Sequence, residues 1–229
     1  MPVMVNAGRI ANAIAIKSQP IHIAWGSGEA WWNSDKSAKL TLDATGKARL
    51  PYAPIAAATV IYNGTTMTAG NDYILAVLTG EIIRQPTGRI PARAQIDISY
   101  RTGRPDPDGT EIRLQAELGR REANSVQFVT PDENGTIITV GNKKWAISSK
   151  PTRYLAVTVN FNAADEPAAI LREVGMFING KLKPSGATAT GYYPVSAVTD
   201  PGSLYLLDRT DPVIRSPADG RTYIYVVTF

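Results

Sequence analysis

The chain has 229 residues, a formal net charge of +4 and a pI of about 9.3, with 44% hydrophobic and 19% charged residues. It is long enough to bury a core without covalent staples and too apolar for a disordered chain. The absence of Cys excludes a disulfide scaffold, a thiolate metal site and a Cys nucleophile, and the single His, His22, excludes a multi-His zinc site and leaves a Ser-His-Asp triad only with His22 as its base.

No apolar run approaches the roughly 20 residues of a membrane-crossing helix. The start, Met1 to Arg9, lacks a basic stretch followed by an apolar core, so no Sec signal is expected and the product is expected to be soluble and made in a cytoplasm. From Val5 to Lys17, Ile10, Ala13, Ile14 and Lys17 fall at helical spacing, with Asn6 as the expected cap and Pro20 as the stop. Ile21–Trp25 then alternates and breaks at Gly26-Ser27-Gly28, a strand running into a glycine turn.

Residues 45–104 read as a separate β unit. Thr59–Tyr62 ends at the tight-turn pair Asn63-Gly64, and runs over Asn71–Val77, Glu81–Arg84 and Ala94–Tyr100 follow at regular spacing. The Pro- and Gly-rich stretch Arg101–Gly109 reads as the way out of it. The remainder is also strand-rich. Leu155, Val157, Val159 and Phe161 alternate with Tyr154, Ala156, Thr158 and Asn160, the clearest period of two in the chain. Strands are further expected at Ser125–Val129, Ile137–Val140, Glu173–Ile178, Leu204–Leu207 and Tyr223–Phe229, with a long exposed loop over 180–193. The fold class is therefore mainly β: a discontinuous outer domain over 1–44 and 105–229 with a short N-terminal helix, and a small sandwich-like domain inserted over 45–104.

No pattern carries catalysis. Asp106 and Asp108, and Asp208 and Asp211, are the paired carboxylates a hydrolase could use, but Asp beside Pro and Gly more often caps a turn. Asp106-Pro107-Asp108-Gly109 lacks the later ligands of a calcium loop. Neither a metal, a cofactor nor an enzyme activity is expected. The basic pairs Arg120-Arg121 and Lys143-Lys144 are far apart and acids are interspersed, which argues against nucleic acid as a partner. A membrane partner is likewise not expected. His22 faces away from Ile21 and Ile23, toward solvent or a polar seam. Trp25 reads as core, whereas Trp31 and Trp32 serve as core or interface anchors or as a sugar-stacking platform. Glu173, if buried, needs a partner such as Arg120 or Arg121; the alternative is that Arg172 and Glu173 are solvated edge charges.

The opening helix with Ile21–Gly28, the segments Gln115–Arg121 and Val126–Val129, the run Arg172-Glu173-Val174-Gly175-Met176-Phe177 within Ile170–Phe177, and the ending from Leu206 to Phe229 resemble phage tail proteins related to the tail-collar fibre N-terminal domain. Gly70–Ile74 with Thr79–Ile83 makes the inner unit similar to an immunoglobulin-like insertion. The resemblance implies a structural component of a virion tail, a baseplate or fibre-adaptor protein assembled in the host cytoplasm, whose partners are other tail proteins and copies of itself as a homo-oligomer. Trp31, Trp32, Arg120, Arg121, Arg172, Glu173, Tyr192 and Tyr193 are the contact residues expected for that role. The rival reading is a carbohydrate-binding module that takes a host surface glycan on Trp31 and Trp32.

Overall fold

In the structure, a computed structural model, residues 3–229 are described, and Met1 and Pro2 of the N-terminal segment lie outside the described residues. Helix α1 spans Asn6–Lys17. Its cap residue is Val5 rather than Asn6, and no side chain bonds to the first turn. Lys17, in the last turn where the helix dipole favours a cation, extends its Nζ 2.6 Å to the Val126 carbonyl. The strands in chain order are β1 (Ile21–Gly26), β2 (Asp35–Thr41), β3 (Lys47–Arg49), β4 (Ile55–Tyr62), β5 (Thr65–Thr66), β6 (Tyr73–Ala76), β7 (Glu81–Arg84) and β8 (Gln95–Thr102). There follow β9 (Glu117–Glu122), β10 (Ser125–Pro131), β11 (Ile137–Thr139), β12 (Lys143–Ile147), β13 (Tyr154–Phe161), β14 (Ile170–Ile178), β15 (Lys181–Leu182), β16 (Tyr193–Pro194), β17 (Val198–Asp200), β18 (Ser203–Ile214) and β19 (Arg221–Thr228).

The chain divides into two compact units, one built from residues 1–28 and 108–229 and the other from 29–107. The second unit thus starts earlier than the boundary expected at 45. The reason is β2, which pairs with β8 along its whole length, from Asp35 opposite Arg101 to Thr41 opposite Gln95. Its Asp-Lys-Ser-Ala-Lys-Leu-Thr sequence buries only Ala38, Leu40 and the stem of Lys36 by halves, a weak but strictly alternating pattern.

In the discontinuous unit, a five-stranded antiparallel sheet, β16-β9-β1-β14-β18, faces a second sheet ordered β11-β12-β10-β13-β19. Period-two alternation sorts the side chains. Ile21, Ile23 and Trp25 of β1, Val174 and Met176 of β14, and Val157, Val159 and Phe161 of β13 meet in one core between the sheets. Trp25 stacks on Phe161 with ring centroids 3.6 Å apart. At roughly 25 cal/mol per Å² of apolar area, aromatic pairs of this size dominate such a core. The edges of the first sheet are guarded against further pairing: β16 carries Pro194, and β18 bulges opposite β14 at Thr210-Asp211-Pro212. The region 180–193, expected as an exposed loop, instead holds β15 and a short 3-10 turn and buries Tyr192.

The inserted unit packs a sheet ordered β2-β8-β4-β5 with a sheet ordered β3-β7-β6 around a single core that includes Val60, Ile82, Ile96, Ile98 and Tyr100. Lettered A to G in chain order, these strands group as A-G-C-D and B-F-E. An immunoglobulin sandwich groups A-B-E-D and C-F-G. The insertion is a β-sandwich with its own strand order, because its first and last strands pair with each other.

Candidate functional site

The first sheet of the discontinuous unit has a buried outer face, and charged residues collect there. His22, Ala24 and Gly26 of β1 share it with Phe177, Gly175 and Glu173 of β14, opposite which they sit in that order. A bulge at Leu118 breaks the alternation of β9, so Glu117 and Arg120, three apart, reach the same face instead of opposite ones. Arg120 is fully buried: Nε and Nη2 each donate to Glu117 at 2.7 Å, Nη1 donates to the Pro201 carbonyl at 2.9 Å, and the guanidinium lies 4.2 Å from the centre of the Phe177 ring. Fork-shaped pairing of this kind satisfies a buried guanidinium better than a point contact.

Glu173 is also fully buried. One carboxylate oxygen accepts from Arg209 Nε at 3.2 Å and the other from the Gln115 backbone N–H at 2.8 Å, while Arg209 reaches Glu111 at 3.2 Å. Glu173 therefore takes Arg209, its opposite number on β18, and not Arg120 or Arg121. The conspicuous Arg-Glu-Val-Gly-Met-Phe run is explained residue by residue. Glu173 pins the segment 111–115 over the sheet, Val174 and Met176 enter the core between the sheets, and Phe177 underlies Arg120. Gly175 leaves room for Leu114, since a Cβ there would stand 2.8 Å from Leu114 Cδ2. Between these groups sits His22, 2% exposed, its Nδ1 without a hydrogen-bond partner among the described residues. Burial, and secondarily the Arg120 charge, lowers its pKa to about 4 from the ordinary 6.5. Of the two surroundings expected for His22, the polar seam is the one found.

On the opposite side of β9, Arg121 donates to Asp165 at 2.6 and 2.9 Å and to the Thr190 carbonyl at 2.6 Å, tying the loop after β13 to the loop before β16. Tyr192 closes the same corner. It is 3% exposed, packs where a Cβ on Gly119 would stand 2.3 Å from its hydroxyl, and donates to Glu166 at 3.3 Å. Desolvation first, then the Glu166 charge, pushes its phenol far above the ordinary range.

Five of the eight expected contact residues, Trp32, Arg120, Arg121, Glu173 and Tyr192, are thus buried, and the last four tie the discontinuous unit together. Trp31, Arg172 and Tyr193 are half-buried. Trp31 stands edge-on to Trp32 at 6.3 Å and stacks on the more exposed Tyr52 at 5.3 Å, and Lys36 covers Tyr52 at 5.6 Å. Arg172 donates to the Ser27 carbonyl at 3.0 Å. Exposed apolar side chains lie elsewhere: Val3, Met4, Val5 and Ile14 along the N-terminal arm and α1, and Val77 and Leu78 at the β6–β7 turn. Asp108 accepts from the Thr110 N–H and hydroxyl at 2.8 and 2.6 Å, a turn-forming arrangement. Asp208 and Asp211 are exposed on β18. Arg209 and Asp165 are the functional side chains that sequence reasoning missed. Arg209 stands two residues past the apolar run Leu204–Leu207, which is the one available sign, and Asp165 lies in a loop with no pattern at all.

The two units are β-sandwiches, and in the discontinuous one buried ionic groups fix loops and strands. A family model described as "Baseplate wedge 3 tail fiber network component" matches residues 1–75 and 95–229, and the chain belongs to this family of phage tail baseplate components. The match covers the discontinuous unit and most of the insertion, breaking only across residues 76–94, where β7 and its flanking turns lie. No curated protein matches the chain.

Proposed function

We propose that the protein is an adaptor that links tail fibres to the baseplate wedge, acting by subunit contact and without a chemical reaction. The observation that carries this reading is the family match, which runs through both units and joins wedge and fibre network in one description. Two structural features support it. The discontinuous unit is cross-tied by Arg120, Arg121 and Arg209, which suits a part that transmits load. Apolar side chains stand out from both units, Met4 and Val5 on one and Val77 and Leu78 on the other, as surfaces for neighbours. Partners are other tail proteins, copies of the same chain among them, and assembly takes place in the host cytoplasm. Trp32 is 2% exposed, which weakens the sugar-platform alternative.

The test is a phage that lacks this chain, imaged by negative-stain electron microscopy. Baseplates without attached fibres are the expected particles. Fibres attached at normal occupancy, or intact virions from which antibody to the chain detects nothing, would overturn the adaptor reading.

A further inference from the structure

Where β18 hands over to β19, Arg215 is buried to 4% exposure. Its guanidinium lies 4.6 Å from the centre of the Trp25 ring, capping the Trp25–Phe161 stack. Nη1 donates to the Asp219 carbonyl at 3.0 Å and Nη2 to the Asn162 carbonyl at 2.7 Å. Nε is buried with no partner, and no carboxylate lies within ion-pair distance of Arg215 among the described residues. The other buried arginines of this unit, Arg120, Arg121 and Arg209, each hold a carboxylate. A buried cation of this kind is normally paired, since its desolvation penalty is otherwise offset only by dipoles and a ring face.

Arg215 also borders open space. A cavity of about 260 Å³ is lined by Arg215 together with Ile214, Ser216, Asp219, Gly220 and Arg221. Arg221, the first residue of β19, is exposed and lies 5.8 Å from the Tyr223 ring centre. Asp219 gives Arg215 its backbone carbonyl and not its carboxylate, so the lining of this cavity carries two arginines and one acid.

We infer that the Arg215–Arg221 cavity is an oxyanion site, taking a carboxylate or a phosphate group. The site does not depend on the adaptor reading. A side-chain carboxylate of a neighbouring protein and a free phosphate share the chemistry, and the test separates them.

The experiment is a thermal-unfolding titration of the full chain with sodium phosphate and, separately, sodium acetate, each against sodium chloride at equal ionic strength. At about ten times the dissociation constant, a single site raises the Tm of a unit this size by roughly 3 °C. Arg221→Gln, which alters an exposed residue, weakens the effect about ten-fold or more, the loss expected for one charge-assisted contact. Arg215→Lys, which keeps the buried charge but loses the fork, serves as a second variant. A response to both anions supports the site and assigns it to carboxylates; a response to phosphate alone supports it and assigns it to phosphate. Equal behaviour of both anions and chloride, or equal shifts in wild type and Arg221→Gln, overturns the inference, and neither result bears on whether fibres attach.

Discussion

Glu173→Ala removes a carboxylate with two buried obligations. The Gln115 N–H at 2.8 Å loses its acceptor, and Arg209 loses one of its two carboxylates while keeping Glu111 at 3.2 Å. An unsatisfied buried N–H costs about 1–3 kcal/mol, and breaking a buried ion pair costs about 3–5 kcal/mol in all. Because Glu111 stays with Arg209, the lower part of that range applies, about 3–4 kcal/mol. For a unit of about 150 residues this lowers the Tm by roughly 10 °C. Glu173→Gln keeps an acceptor for Gln115 and costs less. Scanning calorimetry supplies the magnitude, and hydrogen exchange read by mass spectrometry supplies the location. Protection should fall in β1, β9, β14 and β18 and stay unchanged in β2 to β8. A loss below about 1 kcal/mol, or equal losses of protection in both units, would refute the view that this carboxylate anchors the segment 111–115 to the sheet.

Further outcomes follow from the same geometry. His22 has a folded pKa of about 4 against 6.5, so its contribution is fully present above pH 6.5 and lost as pH falls toward 4; the linked energy is on the order of 3 kcal/mol. As the sole histidine it gives one unambiguous pair of ring C–H resonances, and an NMR titration with a midpoint near 6.5 would contradict the buried seam. Gly119→Ala forces a Cβ against the Tyr192 hydroxyl and should destabilise the discontinuous unit by about 1–3 kcal/mol. Tyr192→Ala should relieve part of that cost, and a double-mutant cycle without coupling would argue against the contact. In the insertion, Asp72 accepts from the Thr68 N–H at 2.7 Å and from Arg89 Nε and Nη2 at 3.0 and 2.5 Å, Arg89 being the main reason its carboxyl is held far below the ordinary range. Its contribution is present above the ordinary carboxylate pKa and lost only in stronger acid. Asp72→Asn should lower the Tm of the insertion alone at neutral pH, and circular dichroism melts of equal midpoint would count against the clamp.

Strand periodicity was legible where one face is buried and the other is not. Leu155, Val157, Val159 and Phe161 are all buried, as their alternation implied. The weakly apolar β2 escaped because Lys36 and Lys39 mask its alternation, and with it went the true start of the insertion. That Glu173 demands a cation was readable from its apolar neighbours. Which cation was not, because the choice of Arg209 follows from β18 lying beside β14, a pairing set by topology and not by any local signal. The bulge at Leu118 likewise decides that Glu117 meets Arg120, and no residue there announces it. Tyr192 and Arg120 were singled out as surface anchors because aromatic and Arg side chains serve interfaces, yet the same side chains fill and tie interiors.

The pairing of β2 with β8 bears on how the polypeptide acquires its shape during synthesis. The Thr102 N–H donates to the Ser34 carbonyl at 2.9 Å and the Ser34 N–H to the Thr102 hydroxyl at 3.0 Å, so the two ends of the insertion are held side by side once it has formed. β1 leaves the ribosome early, but β9 and β14, between which it lies, come only after residue 116. If the insertion forms while the rest is still being made, it shortens the tether that β1 must close from about ninety residues to about eleven, sparing roughly 2 kcal/mol of chain entropy. The middle of the polypeptide thereby acts as a splint for its own ends.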